Sequence, residues 1–154
     1  CWDLCAEFWW NVGFPRGYPL TGPQHSAKEC WSVNRNNNVG YGGNTYFDLI
    51  YNLSDVKRGD VIVWDGTTSY PTGHIGFADE DYNGSGEIKI LGQNQGQGTG
   101  PGTTSIVTSW DTTNILGAFR NTNWSITPPT PEPFKKKDKG FNWVIFNRLI
   151  KPRR

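Results

Sequence analysis

Long apolar runs are missing from this chain. No stretch of about 18 consecutive apolar residues occurs, so no segment is read as membrane-spanning. Cysteine is scarce and odd in number: Cys1, Cys5 and Cys30 are the three present. A disulfide framework needs more, in even count, so at least one thiol is read as free. Cys1 and Cys5, one helical turn apart, are badly placed to bridge, and Cys30 could reach Cys5 only if the tertiary fold allowed it. Histidine is scarcer still, with only His25 and His74. A net charge of one sign is also nearly absent at +1, but the balance is uneven. Residues 1–133 hold 7 basic and 13 acidic residues (net −6), and residues 134–154 hold 8 basic and 1 acidic (net +7). The average charge therefore describes neither part.

What is present compensates for the thin aliphatic content. Eight Trp, eight Phe and six Tyr can each bury a large area, so 154 residues suffice for one domain with a true core. Nineteen Gly and ten Pro predict a loop-rich fold with several short strands.

Trp2, Cys5, Phe8, Trp9 and Val12 recur at helical spacing, which predicts an amphipathic helix over 1–12 ending near Gly13-Phe14-Pro15. Residues 15–25 read as a loop. Ser26 to Val33 reads as a second short helix, with Ser26 as cap and Glu29 three residues on. Asn36-Asn37-Asn38 and Gly40-Tyr41-Gly42-Gly43 read as a polar loop. From residue 45 the pattern turns to strands: Tyr46–Leu53, Asp60–Trp64, His74–Ala78, Glu87–Leu91, Ser105–Ser109 and Ile115–Arg120. Asn83-Gly84-Ser85-Gly86 serves as a hairpin turn, and residues 96–102 as a further loop. Helices first and strands afterwards define an α+β domain, its N-terminal helices packed on an antiparallel sheet of five to six strands. The expected organisation is an α+β domain over 1–125, a stiff Pro-rich linker over 126–133 and a basic aromatic tail over 134–154.

Cys1-Trp2-Asp3, Arg58-Gly59-Asp60-Val61-Ile62-Val63-Trp64, Gly73-His74-Ile75-Gly76 and Gln93-Asn94 occur in that order. Together they resemble the CHAP domain, the cysteine- and histidine-dependent amidohydrolase/peptidase family of phage endolysins and bacterial wall hydrolases. The resemblance covers roughly residues 1–121. It implies a papain-like fold, a cysteine nucleophile at a helix N-terminus, a histidine on the sheet and peptidoglycan as substrate.

Cys1 is the candidate nucleophile, because a helix N-terminus and a nearby imidazolium both favour the thiolate. A buried structural thiol, or a terminal Cys using its own α-amine as base, are the competing readings. His74, at the leading edge of a strand, is the candidate acid–base, whereas His25 reads as a surface residue. Strand alternation from Ile88 and Ile90 puts Gly92 and Asn94 on one face. Asn94 is then the candidate to orient the His74 ring, with a simple turn residue as the alternative. Many CHAP members carry a carboxylate where this chain has Gly92. Trp64, Tyr70 and Gln93 are the candidate substrate-binding residues, the aromatics by stacking on sugar rings, although Trp64 also suits the core. CHAP members have a glutamine just before the nucleophile, and its counterpart would lie upstream of Cys1, so the chain reads as a fragment. Asp3 occupies the place of a calcium ligand in some members. One carboxylate makes no calcium site, so no cofactor is expected, and a zinc site from Cys1, Cys5, His25 and Cys30 lacks paired spacing.

The expected role is cleavage of a peptidoglycan amide, at the N-acetylmuramoyl-L-alanine bond or within the peptide, leading to bacterial wall lysis. The alternative is an inactive wall-binding or phage structural module of the same fold. The expected location is extracellular at the wall, in a phage virion, or in the host before lysis. The basic tail suggests adhesion to anionic wall polymers or a membrane surface. No nucleic-acid recognition motif accompanies it, and a monomer is expected.

Overall fold

The computed structural model describes residues 1–11, 26–37, 47–95 and 105–122. The expected loops at 15–25, at Gly40–Gly43 and at 96–102, the linker and the tail lie outside these residues, as does the end of the first helix near Gly13.

Helix α1 spans Trp2–Asn11, with Asp3 in its first turn, where a negative charge suits the helix dipole. At its end the Asn11 amide donates to the Glu7 carbonyl at 2.7 Å. Leu4, Cys5, Phe8 and Trp9 form its buried stripe, while Asp3 faces solvent. Helix α2 spans Glu29–Asn37. It starts later than the sequence suggests, because Ser26–Lys28 form a tight turn bonded three residues apart (Glu29 N to Ser26 O, Cys30 N to Ala27 O). Half of the expected capping box is present: Ser26 N–H donates to Glu29 Oε2 at 3.0 Å, and the Ser26 hydroxyl has no partner among the described residues. The helix also runs on through Asn36 and Asn37, which the sequence placed in a loop. Asn34 stays helical by bonding back to the Cys30 carbonyl at 2.9 Å.

The strands are β1 (Phe47–Ile50), β2 (Val61–Trp64), β3 (His74–Ala78), β4 (Glu87–Gly92), β5 (Ile106–Asp111) and β6 (Ile115–Asn121). They form one antiparallel sheet in the order β1-β6-β2-β3-β4-β5. The expected α+β layout, two helices with a six-stranded antiparallel sheet, is what the chain adopts. The first strand is shorter than expected, since Leu53–Asp55 coil into a 3-10 turn. β5 is longer and takes in Trp110 and Asp111.

β2 and β3 are buried along their whole length because both sheet faces are covered. On one face α1 and α2 pack with Phe47, Val61, Val63, Ile75, Phe77, Leu91 and Phe119. The aromatic content does its work here: Trp9 lies between Phe47 (5.0 Å between ring centroids) and Phe119 (5.6 Å), and Phe8 meets Phe77 edge-on at 4.9 Å. On the other face Val56, Ile62, Trp64, Ala78, Ile88, Ile90 and Ala118 form a second cluster, with Tyr82 and Trp110 at its border.

The Arg58-Gly59-Asp60 motif is structural. Asp60 is 2% exposed and receives a fork from Arg120, Nε to Oδ1 at 2.9 Å and Nη2 to Oδ2 at 2.8 Å. The Lys57 N–H donates to the same carboxylate at 2.8 Å. The bond to Asp60 raises the Arg120 pKa above its ordinary value. Arg58 reaches Asp79 at 3.3 Å, and its N–H donates to Asp81 at 2.9 Å. This knot fixes the start of β2 against β6 and the β3–β4 turn.

Candidate active site

All three thiols are free, and burial separates them. Cys5 and Cys30 are fully buried, and desolvation raises the pKa of both. They are unreactive at neutral pH. Cys1, at the head of α1, is only half-buried and sits at the margin of the helix-side core.

His74 is delivered by the turn before it. Gly73 has φ +72°, and a Cβ there would lie 2.4 Å from the Trp64 carbonyl and 2.8 Å from Lys28 Cβ. Only glycine meets both demands. The Lys28 N–H donates to the Thr72 carbonyl at 3.1 Å and ties the start of α2 to this turn. His74 then opens β3 opposite Trp64, so its side chain lies on the sheet face away from the helices.

The ring is 2% exposed. It stacks on Trp110 at 4.0 Å between centroids and 11° between planes, and lies 5.9 Å from Trp64. Burial above all, with a smaller contribution from the amino group of Cys1, lowers its pKa to about 3. The imidazole is therefore neutral over the ordinary pH range. Among the described residues, no hydrogen bond joins Cys1 to His74.

The ring's hydrogen-bond partner is Gln95, whose Nε2 lies 3.2 Å from His74 Nε2. The Thr108 hydroxyl donates to Gln95 Oε1 at 2.8 Å. Asn94, the residue expected there, has φ +59° and is half-buried, and Gln93 beside it is also half-buried. β4 ends at Gly92, and the left-handed residue at 94 breaks the alternation, which turns Gln95 onto the ring's face instead.

His74 and Gln95 border a groove of about 460 Å³, walled by Trp64, Tyr70 and Trp110 and rimmed by Asp65, Asp111 and Asn114. Tyr70 is 39% exposed and Trp64 only 4%, so of these two candidate sugar contacts Tyr70 is the accessible one. Gln95, Thr108 and Trp110 were not singled out from sequence. One signal was available. Ile106, Thr108 and Trp110 alternate with exposed Val107, Ser109 and Asp111, which puts Thr108 and Trp110 on one inner face.

No protein-family model matches the chain, and no match among curated proteins is found. Among solved structures, the chain is similar to the crystal structure of a wild-type endolysin, LysIME-EF1, with 24% sequence identity and a TM-score of 0.43. The match covers 49% of this chain and 37% of that one.

Proposed function

We propose that the chain is a cysteine-dependent amide hydrolase of CHAP type acting on peptidoglycan, with Cys1 as nucleophile and His74 as acid–base. The observation that carries this reading is the sorting of the thiols. Cys5 and Cys30 are sealed and inert, while Cys1 starts a helix and is only half-buried. The motif resemblance supplies the substrate class.

In this reading neutral His74 takes the proton from the Cys1 thiol. The thiolate attacks the amide carbonyl carbon, and the C–N bond breaks as the imidazolium returns its proton to the leaving amine. Water, activated by the ring, then cleaves the thioester and restores the thiol. Tyr70, packed on Trp110 at 5.4 Å between ring centroids, offers an aromatic wall for a sugar ring, and Gln93 is a proposed polar contact to the substrate. The bond cut is the N-acetylmuramoyl-L-alanine amide or one within the peptide, and the site of action is the bacterial wall.

Clearing of purified cell walls tests the proposal. Cys1→Ser and His74→Gln should each lower the rate by at least about 10³-fold, as loss of a nucleophile or its base does in comparable sites, while Cys30→Ser retains it. Unchanged clearing by Cys1→Ser rejects Cys1 as nucleophile. One observation favours a second reading, an inactive wall-binding module: His74 is 2% exposed with one face closed by Trp110. Sedimentation with the walls but no clearing by the parent chain selects that reading.

A further inference from the structure

Gln95 is 6% exposed, and its amide is bonded at both ends. With the Thr108 hydroxyl donating to Oε1, the amide turns its N–H groups to the ring. A ring nitrogen that faces an N–H must accept, which puts the single proton of neutral His74 on Nδ1. The amide turned over makes the same number of bonds: Oε1 accepts from His74 Nε2–H, Gln95 Nε2 donates to Thr108 Oγ1, and the lone pair moves to Nδ1; only this second arrangement leaves the ring a free lone pair, as a base role requires. The room for this amide comes from an absent side chain. A Cβ at Gly92 would lie 2.3 Å from Gln95 Nε2, 3.1 Å from its Cδ and 3.4 Å from His74 Nε2. A larger residue at 92 and the Gln95 amide would compete for one volume beside the ring.

We infer that Gln95, held by Thr108 with its Oε1 toward the ring, is the positioning residue of His74 and keeps the proton on Nε2 and the lone pair on Nδ1, in the volume that Gly92 leaves open. The inference deepens the proposed role of His74 and rests on it for its significance, but its test reads the ring directly. The pair is uncharged, so it orients the imidazole without supplying a counter-charge for the imidazolium. The titratable and charged groups around the ring are Asp65, Asp111 and Tyr70 on the groove, Lys28 against Gly73, and the head of α1 at Cys1. Asp65 accepts from Gly66 N–H and Asp111 from Thr113 N–H. Among the described residues none of these groups hydrogen-bonds the ring.

The experiment is ¹⁵N NMR of the ring nitrogens across a pH series, in a His25→Gln background that leaves His74 as the lone histidine. The parent should show one neutral tautomer, with the proton on Nε2. Gln95→Leu should give averaged shifts from a tautomer mixture. Gln95→Glu should raise the titration midpoint by about 1–3 units, because it sets a carboxylate against the ring. Thr108→Val should loosen the tautomer as Gln95→Leu does, and Thr108→Ser should restore it. This second pair decides the matter if Gln95→Leu fails to fold. A parent already mixed or protonated on Nδ1, a midpoint unmoved by Gln95→Glu, or ring nitrogens indifferent to both Gln95→Leu and Thr108→Val overturns the inference. Wall clearing does not enter this measurement, so loss of the hydrolase proposal and loss of this one are separate results.

Discussion

Acid should weaken this fold through His74, and the amount follows from its burial. The ring is 2% exposed, pressed on Trp110, and titrates at about 3 against an ordinary value of 6.5. In the unfolded chain the imidazole binds its proton more readily than in the folded chain. Stability from this group is therefore complete above about pH 6.5, declines as pH falls, and is lost down to about pH 3. Within that window each pH unit costs about 1.4 kcal/mol, so moving from about pH 7.5 to about pH 4.5 removes roughly 2–3 kcal/mol. Urea unfolding of the parent chain and of His74→Gln at those two pH values isolates the term. The substitution lowers stability at both by an unknown packing cost, but the parent should lose roughly 2–3 kcal/mol more than the variant on acidification. Asp81 and Asp111, whose pKa values are lowered by hydrogen bonds, respond alike in both proteins and cancel. Equal losses for parent and variant would refute a neutral, desolvated His74.

Two further outcomes concern the scaffold. Asp60→Ala strips Arg120 of its fork and leaves the Lys57 N–H without its acceptor; with Arg120 about one-third exposed, the expected loss is about 2–3 kcal/mol by urea unfolding, and a loss below about 0.5 kcal/mol would contradict the structural role given to this pair. Gly117→Ala would drive a methyl to within 2.2–2.7 Å of the Trp31 ring and should cost about 1–3 kcal/mol, with most of that cost disappearing in a Trp31→Ala background.

The central strands were legible because both of their faces are apolar and a glycine turn precedes each: Gly59 before β2 and Gly73 before β3. β4 was legible from its alternation, exposed Glu87 and Lys89 against buried Ile88 and Ile90. The same rule does not carry four residues further, to Asn94. Alternation says nothing about where a strand stops, and beyond the left-handed Asn94 it is Gln95 that meets the His74 ring. Asn36 and Asn37 misled in another way: their local preference is for turns, but the helix carries on through them. Cys1 and His74 could be named as candidates from motif order, but the Trp110 stack on the ring joins β5 to β3 across β4, a relation no local pattern records.

The partner of His74 is a carboxamide, and that has a consequence for how the region is built and how it works. At rest it holds no ion pair, so the apolar sandwich closes without stranding a charge, and added salt has little there to screen. In the proposed reaction the electrostatic difficulty is postponed to the moment of turnover. A cation would then form on a nearly dry imidazole whose direct hydrogen-bond partner is a neutral dipole.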